Sequence, residues 1–339
     1  MATVSHRAPM PPLAVALGDP AGIGPEIVAK AWALRLDRSL TPFFAIGDLR
    51  ALRAVWDGPI EVLSSPGDAA AVFGRALPLV QVDDPGDIVP GEANLAGARC
   101  ALDSLEMAVG LARTGTASGL VTGPVSKAQL YAIGFSYPGQ TEFIAERCGI
   151  SEANTVMMLS SPSLRTVPVT IHTAFADVSA QLTTELILAR ARVTARGLQR
   201  DFGIANPRLA VTALNPHAGE SGTLGREELD IIGPAVDQLN AEGISAAGPF
   251  AADSMFHAEA RARYDVALCM YHDQALIPLK TLHFHDGVNV TLGLPIVRTS
   301  PDHGTAFAIA GQNCAVPDAL IAAIHLAGTC ATRRNAACA

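Results

Sequence analysis

Three histidines share one sequence context that would suit a metal site. His172, His217 and His272 each follow directly on an apolar, β-rich run, VPVTIH, LAVTALNPH and DVALCMYH. Strands that run the same way in an α/β sheet end at one edge, and ligand sites gather at such edges. Three imidazoles there suit Zn²⁺, Co²⁺ or a similar divalent ion with one position left open. Taken singly, each histidine is more often a hydrogen-bonded structural residue than a ligand. Their long-range spacing matches no compact zinc motif, so the repeated strand-end context carries the reading. After the third histidine come Lys280, Asn289 and Arg298. An ammonium, an amide and a guanidinium make a cradle for a phosphate or a carboxylate. The alternative for these three is a set of surface polar groups.

These side chains need a scaffold, and the chain alternates strand and helix signals. The spacing predicts strands over residues 13–17, 43–46, 60–63, 77–82 and 119–122. Helices are expected from about 24 to 36 and from 95 to 114. Two β-rich segments, 155–160 and 166–170, read as a hairpin about Ser161-Pro162-Ser163. A helix over 182–202, a strand over 209–214, a helix over 226–241 and a strand over 266–270 follow. Such alternation argues for a layered α/β fold. Gly18-Asp19-Pro20-Ala21-Gly22-Ile23-Gly24-Pro25-Glu26 lies between the first strand and first helix. It is neither GxGxxG nor a Walker loop. It reads either as an anion-approaching turn or as a tight turn with a proline at the helix start. Ser126 and Thr141 read as helix caps or as ligand contacts.

Composition narrows the function classes. The chain has 339 residues, a net charge of -8 and only 17% charged residues. No basic stripe is present for nucleic acid, and no apolar run is long enough to span a bilayer. Residues 1–12 read as a loose leader without a signal-peptide core. Cys100, Cys148, Cys269, Cys314, Cys330 and Cys338 form no CxxC pair, which fits free thiols in a cytoplasmic setting. Sparse charge also fits a large subunit interface.

Eight segments taken together carry a family resemblance: GDPAGIGPE, GPVSK, YPGQTEF, NPHAGESGTLGREE, GPFAADSMF, YHDQALIPLK, GVNVTLGLP and RTSPDHGTAFAIAG. In this order they resemble the PdxA family, the 4-hydroxythreonine-4-phosphate dehydrogenases of vitamin B6 synthesis, from Leu13 to about Ala327. The resemblance implies the α/β/α fold of isocitrate and isopropylmalate dehydrogenases, with two subdomains and a cleft between them. One subdomain, with the cofactor-side loop, would span 1–135 and 300–339. The other, for metal, substrate and dimerisation, would span 136–299.

By the same resemblance His172, His217 and His272 are metal ligands, for Zn, Co or Mg, in a site shared across a homodimer. Gln140, Thr141, Lys280, Asn289 and Arg298 fall on substrate positions, and Asp253 is a further substrate candidate. His303, Gly304 and Thr305 resemble the adenine-side loop for NAD or NADP. The family usually has histidine where this chain has Gln140, and glutamine carries neither proton nor charge near neutral pH.

The implied reaction is oxidation of 4-phosphooxy-L-threonine at C3 to a β-keto acid. That acid decarboxylates to 3-amino-2-oxopropyl phosphate. No proton-accepting base is assigned by the sequence. The rival readings are a paralogue acting on threonate or erythronate 4-phosphate, a zinc hydrolase, and a non-catalytic nucleotide-binding module. Neither nucleic acid nor membrane is an expected partner.

Overall fold

The computed structural model describes residues 10–82 and 86–337. Residues 1–9 of the expected leader, with His6, lie outside the described residues, as do Pro85 and Cys338. The chain divides into two compact units. The first comprises Met1–Ser136 and His303–Pro317, and the second Tyr137–Asp302 and Asp318–Ala339.

In the first unit five strands form a parallel array in the order β3-β4-β2-β1-β5. They are β1 (Leu13–Ala16), β2 (Phe43–Gly47), β3 (Ile60–Val62), β4 (Leu77–Gln81) and β5 (Leu120–Thr122). Strands β1, β2 and β5 are buried along their length, as expected of apolar strands covered on both faces. The helix Leu95–Arg113 packs on β1 and β2, capped by Asn94, whose Oδ1 accepts from Gly97 N at 2.7 Å. The helix Gly24–Ala33 follows the Gly-rich turn, with proline in its first turn. A Cβ at Gly24 would stand 1.9 Å from the Leu17 carbonyl oxygen. Close packing of turn against strand therefore requires glycine there, which favours the tight-turn reading for that residue.

The second unit contains seven strands in the order β12-β11-β6-β7-β10-β8-β9. They are β6 (Val156–Ser160), β7 (Arg165–Pro168), β8 (Leu209–Thr212), β9 (Ala246–Phe250), β10 (Val266–Cys269), β11 (Val288–Leu292) and β12 (Arg298–Pro301). The expected hairpin is present, with β6 and β7 antiparallel. Strands β7, β10, β8 and β9 are parallel, whereas β12, β11 and β6 are antiparallel neighbours.

Two expectations change. The segment 226–241 is not one α-helix: a π-helical turn, Glu228–Ile232, precedes the α-helix Gly233–Ala241. Pro234 lacks the N–H that a regular helix would use in that turn. The C-terminal helix Asp318–Ala337 belongs to the second unit, not the first. It packs there on β12 and on the helix Thr184–Phe202. The carboxylate of Asp201 accepts from Arg334 Nε at 2.6 Å and Nη2 at 2.9 Å, and from Arg200 Nε at 2.8 Å.

Candidate active site at a parallel strand edge

The three histidines lie beyond the carboxyl ends of β7, β8 and β10, which are direct neighbours in the order β7-β10-β8. Beyond β7 the ladder continues, with Val169 N and Thr170 N donating to the carbonyls of Cys269 and Met270. The chain then turns at His172, which adopts a left-handed φ of 53°. After β10, His272 opens the helix His272–Leu282. The two ring centroids are 6.0 Å apart. Metal–nitrogen bonds of about 2 Å place two imidazoles on one ion with centroids roughly 5–6 Å apart, so this pair fits. His272 Nδ1 lies 2.6 Å from Asp273 Oδ1. A proton held there leaves the Nε2 lone pair for a ligand.

His217 has a different setting. From His217 to Ser221 the backbone makes a left-handed turn, with φ of 52°, 54°, 73°, 44° and 57°. Only Gly219 among these five adopts such angles without strain. Glu228 anchors the turn: Oε1 accepts from Leu214 N at 2.9 Å and Asn215 N at 2.8 Å, and Oε2 from Asn215 Nδ2 at 3.0 Å. A run of strained non-glycine residues beside a candidate ligand is the kind of outlier that accompanies function. Among the described residues no group of three His, Cys, Asp or Glu side chains is close enough to hold a metal ion. The structure thus pairs His172 with His272 and does not bring His217 into a three-ligand cluster with them.

Gln274 locks the strand edge and was not singled out from sequence. Its Oε1 accepts from Thr212 Oγ1 at 2.6 Å and Met270 N at 2.7 Å, while Nε2 donates to the Ala213 carbonyl at 2.8 Å. It therefore ties the end of β8 to the helix that carries His272. A buried amide just past a strand end is the signal that could have found it.

Two of the anion-binding candidates, Asn289 and Arg298, share one face of β11 and β12. Asn289 pairs with Ser300 in the antiparallel register. Alternation therefore puts Asn289, Thr291, Arg298 and Ser300 on the same side. Arg298 is only 4% exposed. Its Nη1 donates to Thr291 Oγ1 at 3.1 Å and Nη2 to Gln140 Oε1 at 3.4 Å. Burial pushes its pKa down to about 10, with the nearby charge of Glu142 opposing the shift. The guanidinium remains charged at neutral pH. Asn289 Oδ1 is buried without a hydrogen-bond partner, which leaves an acceptor for a ligand's donor. Lys280 Nζ lies 2.9 Å from Asp302 Oδ2, so its ammonium is paired within the chain.

Gln140 and Thr141 open the helix Gln140–Arg147. Gly139 is its N-cap, with no side-chain capping bond, so Thr141 is not the cap. Ser126, in contrast, does cap, accepting from Gln129 N at 3.4 Å. Asp253 lies exposed on the 3₁₀ turn Ala252–Ser254 after β9. In the first unit His303 and Gly304 are exposed. Gly304 has nothing within 4 Å of where a side chain would stand.

A mixed α/β enzyme in two units, with imidazoles at a parallel strand edge and a buried guanidinium farther along the same strand order, is the class that fold and site define. The model of the pyridoxal phosphate biosynthetic protein PdxA matches residues 39–327. The 4-hydroxythreonine-4-phosphate dehydrogenase of Zymomonas mobilis is 57% identical over 327 residues, covering 96% of this chain and 98% of that one. Among solved structures, the enzyme of that name from Klebsiella pneumoniae has a TM-score of 0.84 at 34% identity, covering 95% of this chain and 99% of its own. A terephthalate 1,2-cis-dihydrodiol dehydrogenase from Burkholderia xenovorans has a TM-score of 0.65 at 31% identity, covering 94% and 97%. The chain belongs to the PdxA family of pyridoxal phosphate biosynthesis.

Proposed function

We propose that this protein oxidises 4-phosphooxy-L-threonine at C3 with NAD or NADP, giving a β-keto acid that decarboxylates to 3-amino-2-oxopropyl phosphate. The observation that carries the reading is the set of histidines beyond three adjacent parallel strands, in a chain of the PdxA family. His172, His217 and His272 would hold a divalent metal, Zn, Co or Mg. Such an ion supplies positive charge that favours the ionised alcohol and polarises the ketone that replaces it. NAD(P) accepts the hydride, with His303, Gly304 and Thr305 on its adenine side.

The chain's own groups have distinct tasks in this reading. Arg298 binds the phosphate with a charge that burial keeps out of bulk water. Gln140 orients that guanidinium through its carbonyl oxygen and moves no proton. Thr141, the first-turn N–H groups and Lys280 add donors, and Asn289 offers an acceptor to the substrate ammonium. Asp253 is a further substrate contact. Asp273 holds a proton on His272 Nδ1.

The working unit in this reading is a cytoplasmic homodimer whose metal sites take ligands from both subunits. Exposed apolar side chains in the second unit, Phe175, Phe284 and Ile277 at 77%, 73% and 62%, support an interface there. No helix among the described residues is long and apolar enough to cross a membrane.

The deciding assay adds metal and NAD(P) to the purified protein and follows absorbance of reduced cofactor. 4-Phosphooxy-L-threonine should outperform threonate and erythronate 4-phosphates and an unphosphorylated dihydrodiol. Preference for one of those would move the protein to that substrate class. Hydrolytic turnover without NAD(P) would replace the dehydrogenase reading altogether.

A further inference from the structure

Residues 303–317 belong to the first unit, although the residues on either side belong to the second. This strap carries His303, Gly304 and Thr305, and its only helical turn is Phe307–Ile309. Something other than its own secondary structure must hold it in place. At its start, Ile23 N donates to the Thr305 carbonyl at 3.0 Å. A Cβ at Gly22 would already stand 3.0 Å from that same oxygen, so the strap lies directly on the Gly-rich turn.

At its far end the strap meets two charged side chains of the helix Gly24–Ala33. Lys30 Nζ donates to the carbonyls of Asn313 at 3.0 Å and Ala315 at 2.9 Å, and to Glu26 Oε1 at 2.7 Å. An ammonium has three protons, and all three are used. Glu26 Oε1 also accepts from Ala315 N at 2.9 Å. Glu26 is 1% exposed, and its Oε2 is buried without a hydrogen-bond partner. A buried carboxylate with one idle oxygen is an expensive way to hold a loop. A neutral amide could bind the same backbone N–H but would not neutralise the lysine that grips two carbonyls. The charge is therefore what the arrangement requires.

We propose that Glu26 and Lys30 form a clamp that positions the cofactor loop, acting on NAD(P) through residues 303–315 without touching it. The inference rests on the reading that His303, Gly304 and Thr305 receive the adenine side. It predicts a loss confined to cofactor affinity. Releasing Asn313–Ala315 frees one end of a strap whose other end bears those three residues. The disorder then has to be removed each time the cofactor binds.

The test compares Lys30→Met, Glu26→Gln and the conservative Lys30→Arg with the unmodified protein. Calorimetry with ADP-ribose reads the adenine side without turnover, and steady-state kinetics read NAD(P) and phosphorylated substrate separately. Lys30→Met should raise the Kd for ADP-ribose and the KM for NAD(P) about tenfold, the scale of a lost charge-assisted contact. The kcat at saturating cofactor and the substrate KM should stay within about twofold. Amide exchange should accelerate in 303–317, and Lys30→Arg should restore most of the affinity.

Faster exchange with unchanged ADP-ribose affinity would reduce the clamp to a structural role and overturn the proposal. Equal losses for cofactor and substrate would also overturn it. If Glu26→Gln fails to fold, Lys30→Met carries the test alone, because its side chain is 24% exposed. Binding of neither NAD(P) nor ADP-ribose by the unmodified protein would overturn the cofactor reading itself. Exchange in 303–317 would then still show whether the clamp holds the strap.

Discussion

At the scale of the residue, Arg298 is the side chain on which the proposed phosphate contact depends most directly. Its guanidinium is buried and donates to Thr291 and Gln140. Replacing it with alanine should raise the KM for a phosphorylated substrate at least tenfold, since charge-assisted contacts contribute roughly 1.5–3 kcal/mol. The KM for NAD(P) should hardly move. Lys280→Ala should have a smaller effect, because its ammonium is already paired with Asp302. Equal losses from the two variants, measured by steady-state kinetics on both ligands, would argue against a cradle centred on Arg298. For the histidines, replacement of His172, His217 or His272 by alanine should leave the fold intact and lower bound metal and turnover together. Full metal occupancy in any one variant would remove that residue from the site.

The left-handed turn His217–Ser221 is a strained element with an identifiable anchor. Ala218, at φ 54°, is adjacent to the candidate ligand. Ala218→Gly should stabilise the protein by about 0.5–1 kcal/mol, because glycine accepts these angles and alanine does not. Glu228→Ala should destabilise it by roughly 3 kcal/mol, since three donors lose a buried acceptor. It should also weaken metal binding. Denaturant midpoints and metal titration read the two effects separately, and unchanged metal affinity in Glu228→Ala would disconnect the anchor from the site.

The clasp at Asp201 is a second element-scale case, joining the helices Thr184–Phe202 and Asp318–Ala337. Burial by itself would raise the Asp201 pKa, but the hydrogen bonds and charges of Arg334 and Arg200 outweigh it and hold the carboxyl below its usual range. A depressed carboxyl pKa contributes stability above the unfolded-state value of about 3.9, and that stability is lost as pH falls through the folded value. Asp201→Asn should therefore be less stable than the unmodified protein by roughly 2–3 kcal/mol at neutral pH. The difference should vanish under strongly acidic conditions. A gap independent of pH would mean that packing, not charge, holds the helices.

At the scale of the whole molecule the proposed shared site can be tested by complementation between inactive subunits. One chain pairs His172 with His272 and gathers no three-ligand cluster among its described residues. If His217 of each subunit serves its partner's pair, inactive subunits should complement each other. Co-expression of His217→Ala with a His172→Ala, His272→Ala double variant would give heterodimers with one complete site and one empty of ligands. Activity should recover towards half of the unmodified value per dimer. Verified heterodimers without activity would remove the shared site while leaving the dehydrogenase reading in place.

The sequence by itself determined most of the local structure and the family. Apolar runs of strand length marked β7, β8 and β10, running slightly past Pro168, Thr212 and Cys269 where those strands end, because burial on both faces leaves little freedom of composition. The histidines beyond those ends suggested a metal only through their repeated context and the family resemblance, since each by itself has an ordinary structural use. What only tertiary structure decided depends on contacts distant in the chain. The order β7-β10-β8 made neighbours of segments far apart in the chain, pairing Ala267 with Thr166 and Val266 with Leu209. The antiparallel register placed Asn289 and Arg298 on one face. Packing on β12 drew the C-terminal helix into the second unit, and no local pattern in its sequence specifies a partner. The left-handed turn at His217 was equally hidden. Four non-glycine residues give no local signal for positive φ, whereas the structure shows Glu228 holding Leu214 and Asn215 just before that turn.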